Sequence, residues 1–482
     1  MEHDLGLSQL RRRYAVGLVS MALGYLALHV ALHMQPMTNF GAVGLSIAAY
    51  PSTVLADSLI SLGHTRTAMA AAMLFSFSLL GVGYVLIGQA IKRGETVGPS
   101  GAGLVLGLFT IVALLSLTPA MLSGDVHSYI FYGRMAGIHG VNPLVALPSE
   151  LSGDPHYTYV YWVDTASVYG PAWIWLSSVL TLLVNFFTDT HAVYVSGYKV
   201  VAIVAHLACI VIAGKIGERH GPARARFYQV MIAANPLLLI ESSVSGHNDS
   251  LLLAFLLAAY LAHLRRRHLW VGLCLATAIC IKMYALPFLG LYSVYLLVHH
   301  VRDKRELMAF FGSAISVTAV LYATCWSGAE TLWHWASGPS TTWQINSIWT
   351  LVEHLSGSYG ATHRAVALAL VLVFAIVAVV MVIRGSDPFR AGCTFCFLQL
   401  VVASPWIWPW NFSLFVALAI VGNNAALRRS AIALSITGLM LYPSLMYHPA
   451  RAWLSIPIYG IPVLVYALTH LSKRRAEGVL AL

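Results

Sequence analysis

One carboxylate stands where it could act as a catalytic base. Asp125 directly follows the apolar run 101–122, in the polar segment 123–129. Removing an ionised carboxylate from water is unfavourable, so an acidic side chain at the edge of a membrane span is usually kept for a purpose. Asp125 could take the proton of an attacking hydroxyl as a general base. The alternative is structural, because a helix over 126–139 would use the same carboxylate as its N-cap.

A second polar cluster lies between the apolar runs 226–242 and 250–264. If successive runs cross a membrane, this cluster faces the same side as Asp125. A helix cap formed by Asn248 or Asp249 would explain one of its members, but four polar side chains exceed what capping requires. We therefore expect substrate contacts from this cluster, which consists of Glu241, His247, Asn248 and Asp249.

Lys282 lies within an apolar run, close to Pro287. A lysine can extend its ammonium group to the membrane surface, and we expect this of Lys199. For Lys282 we favour an anionic partner, because an ammonium group at membrane depth requires one. A lipid-linked phosphate would be such an anion. The residues expected to bind it are Lys282, His247, Arg134 and Arg451.

Aromatic residues are concentrated in two motifs, 169–173 and 404–411. Tryptophan and tyrosine are common where a membrane meets water, which explains both motifs adequately. Their ring faces could equally stack on sugars, so a role in substrate binding stays open. The expected substrate contacts from these motifs and from the Asp125 segment are His127, Tyr129, Trp173, Trp406 and Trp410.

Histidines and carboxylates do not follow a metal-ligand spacing. His127, His247, Asp125 and Asp249 could surround a cation, but no His-x-x-x-His motif supports this. We therefore predict no metal and no other cofactor. The one close cysteine pair, Cys393-x-x-Cys396, has no second pair beside it, so we expect thiols packed among apolar side chains.

The composition shows what kind of structure must position these residues. Of 482 residues, 59% are hydrophobic and only 10% are charged, with a mean hydropathy of +0.75. Soluble proteins carry about 25% charged residues, so a soluble enzyme is excluded and an all-α polytopic membrane protein is predicted. The net charge of +10 does not indicate nucleic-acid binding, because the basic residues lie in short clusters between apolar runs.

About fourteen apolar runs can be read as membrane spans, and prolines near Pro287 and Pro405–Pro409 are expected to break the helices there. No separate soluble domain is apparent, so residues 1–482 form one transmembrane domain. The predicted spans are 14–34, 69–91, 101–122, 192–214, 226–242, 250–264, 269–283, 284–300, 307–325, 362–383, 391–404, 409–426, 430–446 and 452–471.

Most of the 28 lysine and arginine residues fall on one side if the spans alternate from a cytoplasmic N-terminus. This bias predicts that both termini are cytoplasmic. The same alternation requires that the apolar stretch 172–187 does not cross. We expect this stretch, together with 126–139, to lie along the outer surface of the membrane. The outer face then carries three long loops, at about 35–66, 123–190 and 327–361.

In series, these motifs resemble the bacterial polyprenyl-phosphate-mannose-dependent α-(1→6)-mannosyltransferases, which are glycosyltransferases of the GT-C fold. The resemblance covers about 100–450 and consists of moderately specific motifs. It implies an inverting transfer of a sugar, mannose above all, from a polyprenyl-phosphate donor to a glycan or glycolipid hydroxyl. It also implies that the protein lies in the inner (cytoplasmic) membrane of a prokaryote, with its active site at the outer face. The residues that carry it are Gly-Asp-Val-His-Ser-Tyr and the following segment (124–144), Tyr-Gly-Pro-x-Trp (169–173), Asn-Pro-Leu to Gly-His-Asn-Asp (235–249), Lys282 and Pro-Trp-x-x-Pro-Trp (405–410).

The resemblance also implies roles for individual residues. Asp125 occupies the position of the family's catalytic carboxylate, and the segment 246–249 with Lys282 faces the same cavity. The donor type commonly reacts without a metal. His127 departs from the family's more usual tyrosine, which leaves the sugar and the acceptor open. A lipid-linked sugar flippase or another multispan transporter is the alternative, although the polar residues gather on one face and not at mid-membrane, where transporters bind substrates.

Overall fold

A computed structural model describes residues 2–33, 66–92, 99–118, 120–333, 344–444 and 451–479. These residues are mainly helical, with one isolated backbone bridge between Ile345 and Trp406. Two π turns, Ile240–Val244 and Gln399–Ala403, extend helices at their C-terminal ends. In chain order the α-helices are α1 (Glu2–His33), α2 (Arg66–Lys92), α3 (Pro99–Leu115), α4 (Asp125–Gly137), α5 (Pro171–Phe187), α6 (His191–Gly217), α7 (Pro222–Ala233), α8 (Pro236–Leu239), α9 (Asp249–Leu264), α10 (His268–Ile281), α11 (Leu286–His299), α12 (Lys304–Ala323), α13 (Ile348–Ser356), α14 (Ala361–Ile383), α15 (Pro388–Leu398), α16 (Ser413–Val421), α17 (Ala425–Thr437), α18 (Leu441–Ser444) and α19 (Arg451–Val479).

Among the described residues, six helices are long and apolar enough to cross a membrane, and the bent pair Pro222–Ala233 and Pro236–Val244 would make a seventh. The chain is therefore a multi-pass membrane protein. Shorter apolar helices occupy most of the other predicted spans, so the number of about fourteen crossings stays a prediction. The predicted proline breaks are confirmed, because α10 ends before Pro287 and the helical segment before Pro405–Pro409 ends at Ala403.

Contacts at the helix termini distinguish two ends of the helix bundle. At the first, here called the site end, Lys282 after α10 pairs with Asp249, the first residue of α9. At the second, the arginine end, Arg219 after α6 donates a hydrogen bond to the carbonyl of Leu264 in α9. The basic loops after α6 and α9 therefore lie at the opposite end of these helices from the polar cluster. Two further contacts at the arginine end are Arg428 with Tyr228 and His263 with Asp387.

The predicted loop 123–190 contains α4 and α5, which pack closely against each other. Gly133 of α4 permits this approach, since a Cβ atom there would stand 2.6 Å from the carbonyl oxygen of Ser177. The other face of α5 is apolar and suits contact with lipid. The placement of α5 along the membrane surface stays a prediction. Of the other two loops, 327–361 contains α13, and nearly all of 35–66 lies outside the described residues. The exposed large hydrophobic side chains of α5 are Trp175, Val179, Leu182, Leu183, Phe186 and Phe187.

Two expectations are wrong, one about the chain before Asp125 and one about Lys199. The helix expected over 101–122 ends at Leu115, and Lys199 does not extend to the membrane surface but is completely buried. The two errors have one cause. The Lys199 ammonium group donates hydrogen bonds to the backbone carbonyls of Ser116, Thr118 and Ala120, at 2.9, 2.6 and 2.7 Å. Because these carbonyl groups accept hydrogen bonds from Lys199, they do not form the backbone hydrogen bonds that would continue the helix. The segment after Leu115 instead turns toward Asp125.

Candidate active site

Asp125 is the first residue of α4, and Gly124 occupies the N-cap position. The structural alternative, in which the Asp125 side chain caps this helix, is therefore wrong. The Tyr169 hydroxyl donates a hydrogen bond to Asp125 Oδ2 at 3.1 Å, and His247 Nδ1 lies 3.8 Å from the same oxygen. The Asp125 side chain is 17% exposed, whereas that of His247 is completely buried. Asp125 therefore lies where a buried polar network meets solvent.

His247 links Asp125 to a deeper carboxylate. Its Nε2 lies 3.5 Å from Glu241 Oε2, while the Tyr442 hydroxyl donates to the other oxygen of Glu241 at 2.8 Å. Gly246 lets the chain turn here, because its φ of +68° is a conformation that other residues rarely adopt. A Cβ atom on Gly246 would also stand 3.1 Å from the side chain of Val126. The segment 246–249 is thus held directly against the start of α4.

Several buried polar atoms of this network have no hydrogen-bond partner among the described residues. They are Asn248 Nδ2 and the facing atoms Glu241 Oε2 and His247 Nε2, which stand 3.5 Å apart without forming a hydrogen bond. Asn248 occupies the N-cap position of α9 without using its side chain as a cap, and its Oδ1 accepts from the Tyr129 hydroxyl at 3.3 Å. Buried polar groups are almost always satisfied in folded proteins, so this arrangement indicates binding of a polar ligand or of water.

Lys282 forms a buried ion pair with Asp249. Its ammonium nitrogen lies 3.0 and 2.9 Å from the two carboxylate oxygens, and both side chains are less than 10% exposed. Lys282 leaves the helical conformation at the end of α10, where the Gly170 amide donates to the Ile281 carbonyl at 3.0 Å. This backbone contact places Tyr169 beside the pair, with the ammonium nitrogen 5.7 Å from the centre of its ring.

Two of the predicted tryptophans, Trp410 and Trp173, are buried and pack against residues of the site. Trp410 stacks on His247 with ring centres 4.2 Å apart and on Trp408 at 5.1 Å, and it is only 8% exposed. Trp173 is 1% exposed and packs edge-on against Tyr129 at 5.0 Å. Neither ring offers a free face to a sugar. They fix His247 and Tyr129, and Trp406 is the member of the predicted set that stays partly exposed.

Arg134 and His127 lie in a separate network on the other side of α4. The Arg134 guanidinium donates to Asp154 at 2.9 Å and to Asp189 at 2.6 Å. From His127 a chain of ring nitrogens runs through His191 at 2.8 Å and His156 at 2.8 Å to Asp189 at 3.0 Å. Arg134 is therefore neutralised away from Asp125. The side chain of Arg451, the other predicted phosphate ligand, lies outside the described part of the chain.

These three histidines form a chain of pairwise contacts and not a cluster around one point. Across the described residues, no group of three or more histidine, cysteine or acidic side chains is arranged to hold a metal ion. Asp125, His127, His247 and Asp249, the four residues considered as possible cation ligands, accordingly do not surround a common centre. The lack of a metal requirement stays a prediction.

The surroundings of Asp125 change its acidity. Burial raises the pKa of its carboxyl group to about 6, a change that the Lys282 charge and the Tyr169 hydrogen bond reduce and the Asp249 charge reinforces. Burial, and then the charge of Lys282, holds the pKa of His247 well below its usual value, so its imidazole is neutral at pH 7. A carboxyl group with a pKa near 6 is ionised at neutral pH and basic enough to accept a proton from a hydroxyl in the transition state.

Comparison with known proteins identifies the family. The family model "Alpha-(1->6)-mannopyranosyltransferase, N-terminal domain" matches residues 17–298, more than half of the chain. The chain belongs to the alpha-(1->6)-mannopyranosyltransferase family. The resemblance derived from the motifs is thereby confirmed.

Individual members of the mannopyranosyltransferase family are distant relatives. Alpha-(1->6)-mannopyranosyltransferase A of Corynebacterium glutamicum is 25% identical over 345 residues, which span 64% of this chain and 65% of that protein. The A protein of Mycobacterium tuberculosis is 26% identical over 70% of this chain and 68% of its own length. The B protein of Corynebacterium glutamicum is 23% identical over 78% of this chain and 69% of its own length. The chain thus spans slightly less than two thirds of the first of these relatives.

The sequence patterns identify some residues of the site and miss others. Asp125, His247, Asp249 and Lys282, which stand out as charged or polar residues in an apolar chain, all lie within the matched 17–298. Tyr442 lies beyond the match and was not singled out, nor was the hydroxyl contact of Tyr169. A tyrosine in an apolar run is indistinguishable from a packing residue until its hydroxyl partner is known.

Proposed function

We propose that the chain transfers a mannosyl unit from a polyprenyl-phosphate donor to a hydroxyl of a glycan or glycolipid, with inversion at the anomeric carbon. Family membership supports the mannosyl transfer. The observation that carries the proposal is Asp125, a partly exposed carboxylate at the mouth of a buried polar network, with a pKa of about 6. Membrane proteins rarely hold such a group without a function.

Asp125 is the general base of this reaction. Its carboxylate takes the proton of the acceptor hydroxyl while the hydroxyl oxygen attacks the anomeric carbon from the face opposite the phosphate. A bond from the acceptor oxygen to that carbon forms as the bond to the phosphate oxygen breaks, and the polyprenyl phosphate leaves with the electron pair. The proton then passes from Asp125 to water, which its 17% exposure permits.

Lys282 stabilises the leaving phosphate. An ammonium group has three hydrogens to donate, and the two oxygens of Asp249 engage two of them. The third is available to an oxygen of the phosphate, whose negative charge grows as the bond breaks. A phosphate on a lipid carrier is a good leaving group, so this contact can serve in place of a metal ion. Glycosyl transfer that persists after treatment with a chelator would support this part of the proposal.

The reaction takes place on the extracytoplasmic side of the cytoplasmic membrane. The basic loops of the arginine end carry the charge bias that marks cytoplasmic loops, and Asp125 belongs to the opposite end of the bundle. The donor's prenyl chain stays in the bilayer, and the acceptor approaches from water. Labelling of a cysteine placed at position 125 with an impermeant reagent, applied to intact cells, tests this orientation.

Transfer itself is tested with purified protein in nanodiscs, radiolabelled polyprenyl-phosphate mannose and mannose-containing acceptors. Formation of a new glycosidic bond, lost in Asp125→Asn, supports the proposal. Asp303→Asn is a matched control at the arginine end, because asparagine caps a helix as well as aspartate does and so preserves the start of α12. Movement of labelled donor between leaflets without a new bond would indicate a flippase and contradict the proposal.

A further inference from the structure

A row of aromatic rings leads from the protein surface to His247. Its inner part is the stack of Trp408, Trp410 and His247, which is at most 9% exposed. Its outer part, here called the aromatic platform, consists of Tyr161, Trp162 and Trp406. Neighbouring ring centres lie 4.7 Å apart for Tyr161 and Trp162, 6.4 Å for Trp162 and Trp406, and 6.1 Å for Trp406 and Trp408.

The aromatic platform differs from the inner stack in having ring surface to offer. Tyr161 is 42% exposed, and Trp162 and Trp406 are partly exposed. The ring planes of Tyr161 and Trp162 meet at 88°, and those of Trp162 and Trp406 at 59°. These rings therefore do not cover one another's faces, whereas Trp408 and Trp410 are nearly parallel, at 3°. Two separate segments of the chain, before α5 and before α16, are thus brought together to present aromatic faces beside the site.

A buried amide lies next to the aromatic platform. The Ile345 amide donates to the Pro405 carbonyl at 2.8 Å, and the Ile407 amide donates to the Ile345 carbonyl at 3.1 Å, which holds Asn346 beside Trp406. Asn346 is 1% exposed, and neither its Oδ1 nor its Nδ2 has a partner among the described residues. Its φ of +54° lies in the left-handed region, which asparagine adopts more readily than most residues with a side chain. A buried amide with unmet hydrogen bonding is typical of a ligand site.

We propose that the aromatic platform and the Asn346 amide bind the penultimate sugar of the acceptor, so that the acceptor is a chain of at least two hexoses with its terminal sugar at Asp125. This inference rests on the proposed function. A pyranose presents an apolar C–H face that packs on an aromatic ring and hydroxyl groups that pair with an amide. The platform lies in solvent-exposed loops, where a water-borne glycan arrives, whereas the donor's prenyl chain must stay in lipid.

The test compares two acceptors, a mannose monosaccharide glycoside and a linear mannotriose glycoside, with enzyme in nanodiscs. Trp162→Ala should raise KM for the mannotriose about tenfold, the effect of losing one stacking contact, and should raise KM for the monosaccharide much less. Asn346→Gly should act in the same direction, because glycine keeps the positive φ while removing the amide. Trp270→Ala is the matched control, since this tryptophan is 56% exposed at the start of α10 and contacts no part of the platform.

Binding is also measured without catalysis, by titrating tryptophan fluorescence with mannotriose in the absence of donor. A change in wild type that is lost in Trp162→Ala supports the subsite even if no transfer is detected, which separates this inference from the proposed function. The inference is overturned if Trp162→Ala and Trp270→Ala have equal KM values for mannotriose. It is also overturned if the variant's KM rises by the same factor for both acceptors, because that result would indicate general damage to the site.

Discussion

Lys282 Nζ lies within 3.0 Å of both carboxylate oxygens of Asp249, at the point where the end of α10 meets the start of α9. The anionic partner expected for Lys282 is therefore present within the protein. The pair fixes two helix ends against each other and keeps a positive charge next to Asp125. The pair therefore contributes to the stability of the fold and to the proposed transfer reaction, and the two contributions can be separated by experiment.

Lys282→Met should lower the free energy of unfolding by about 3–5 kcal/mol, because it leaves the Asp249 carboxylate buried without a counterion. The double variant Lys282→Met with Asp249→Asn should recover much of this stability and none of the transfer activity. Thermal unfolding in detergent and the transfer assay measure the two effects. Lys215→Met, at an exposed position near the arginine end, is the control. Equal stability of the single and double variants would show that the pair is not coupled.

Asp125→Asn should reduce kcat by about 10²–10⁴-fold, the usual contribution of a general base. It should not destabilise the protein, because burial raises the pKa of Asp125 to about 6, which means that the ionised carboxylate is less favourable in the folded state than in water. The expected result is a Tm at pH 7 equal to or above that of wild type. A clear fall in Tm would assign Asp125 a structural role instead.

The rate of transfer should depend on the protonation of Asp125. A base whose pKa is about 6 is mainly protonated below that value, so kcat/KM should fall about tenfold for each pH unit below 6 and level off above it. The measurement is kcat/KM for the acceptor between pH 4.5 and 8 (roughly the range in which such a base titrates). A profile that is flat through pH 6 would remove Asp125 from the role of base.

Tyr169→Phe should shift that profile to higher pH. The hydroxyl of Tyr169 donates to Asp125 and stabilises its ionised form, so its removal raises the pKa of the base further. Tyr132→Phe is the matched control on the same face of the site, because its hydroxyl donates to the Thr165 carbonyl at 2.9 Å and not to Asp125. Identical profiles for the two variants would mean that the Tyr169 contact does not act on Asp125.

The residues that could be predicted from the sequence are those whose charge or polarity is costly in an apolar chain. Asp125, Asp249 and Lys282 are charged, His247 belongs to a polar cluster between two apolar runs, and the structure brings all four together. The partners of Arg134 could not be predicted, because Asp154 and Asp189 reach it from two loop segments whose pairing depends on the tertiary fold. Most of the apolar runs are helical as predicted, but the run 101–122 is not helical beyond Leu115, where a lysine from another helix binds the backbone carbonyls. The number of membrane crossings stays a prediction.

The histidine chain makes the fold sensitive to acid. Burial, and then the charge of Lys199, lowers the pKa of His127 to about 4, and burial also lowers the pKa of His156. Between about pH 6.5 and 4 these histidines bind more protons in the unfolded chain than in the folded one. Their contribution to stability is therefore full above about pH 6.5 and is lost as the pH falls. For His127 alone the loss approaches about 1.4 kcal/mol per pH unit.

His127→Gln should therefore show a shallower decline of Tm between pH 6.5 and 4 than wild type. His220→Gln is the control, because this histidine is exposed at the arginine end, and its decline should match that of wild type. Comparing variants at each pH cancels the contributions of other titrating groups, among them Asp125, whose raised pKa acts in the opposite direction. Parallel declines in all three proteins would show that His127 takes up a proton in the folded state as readily as it does in water.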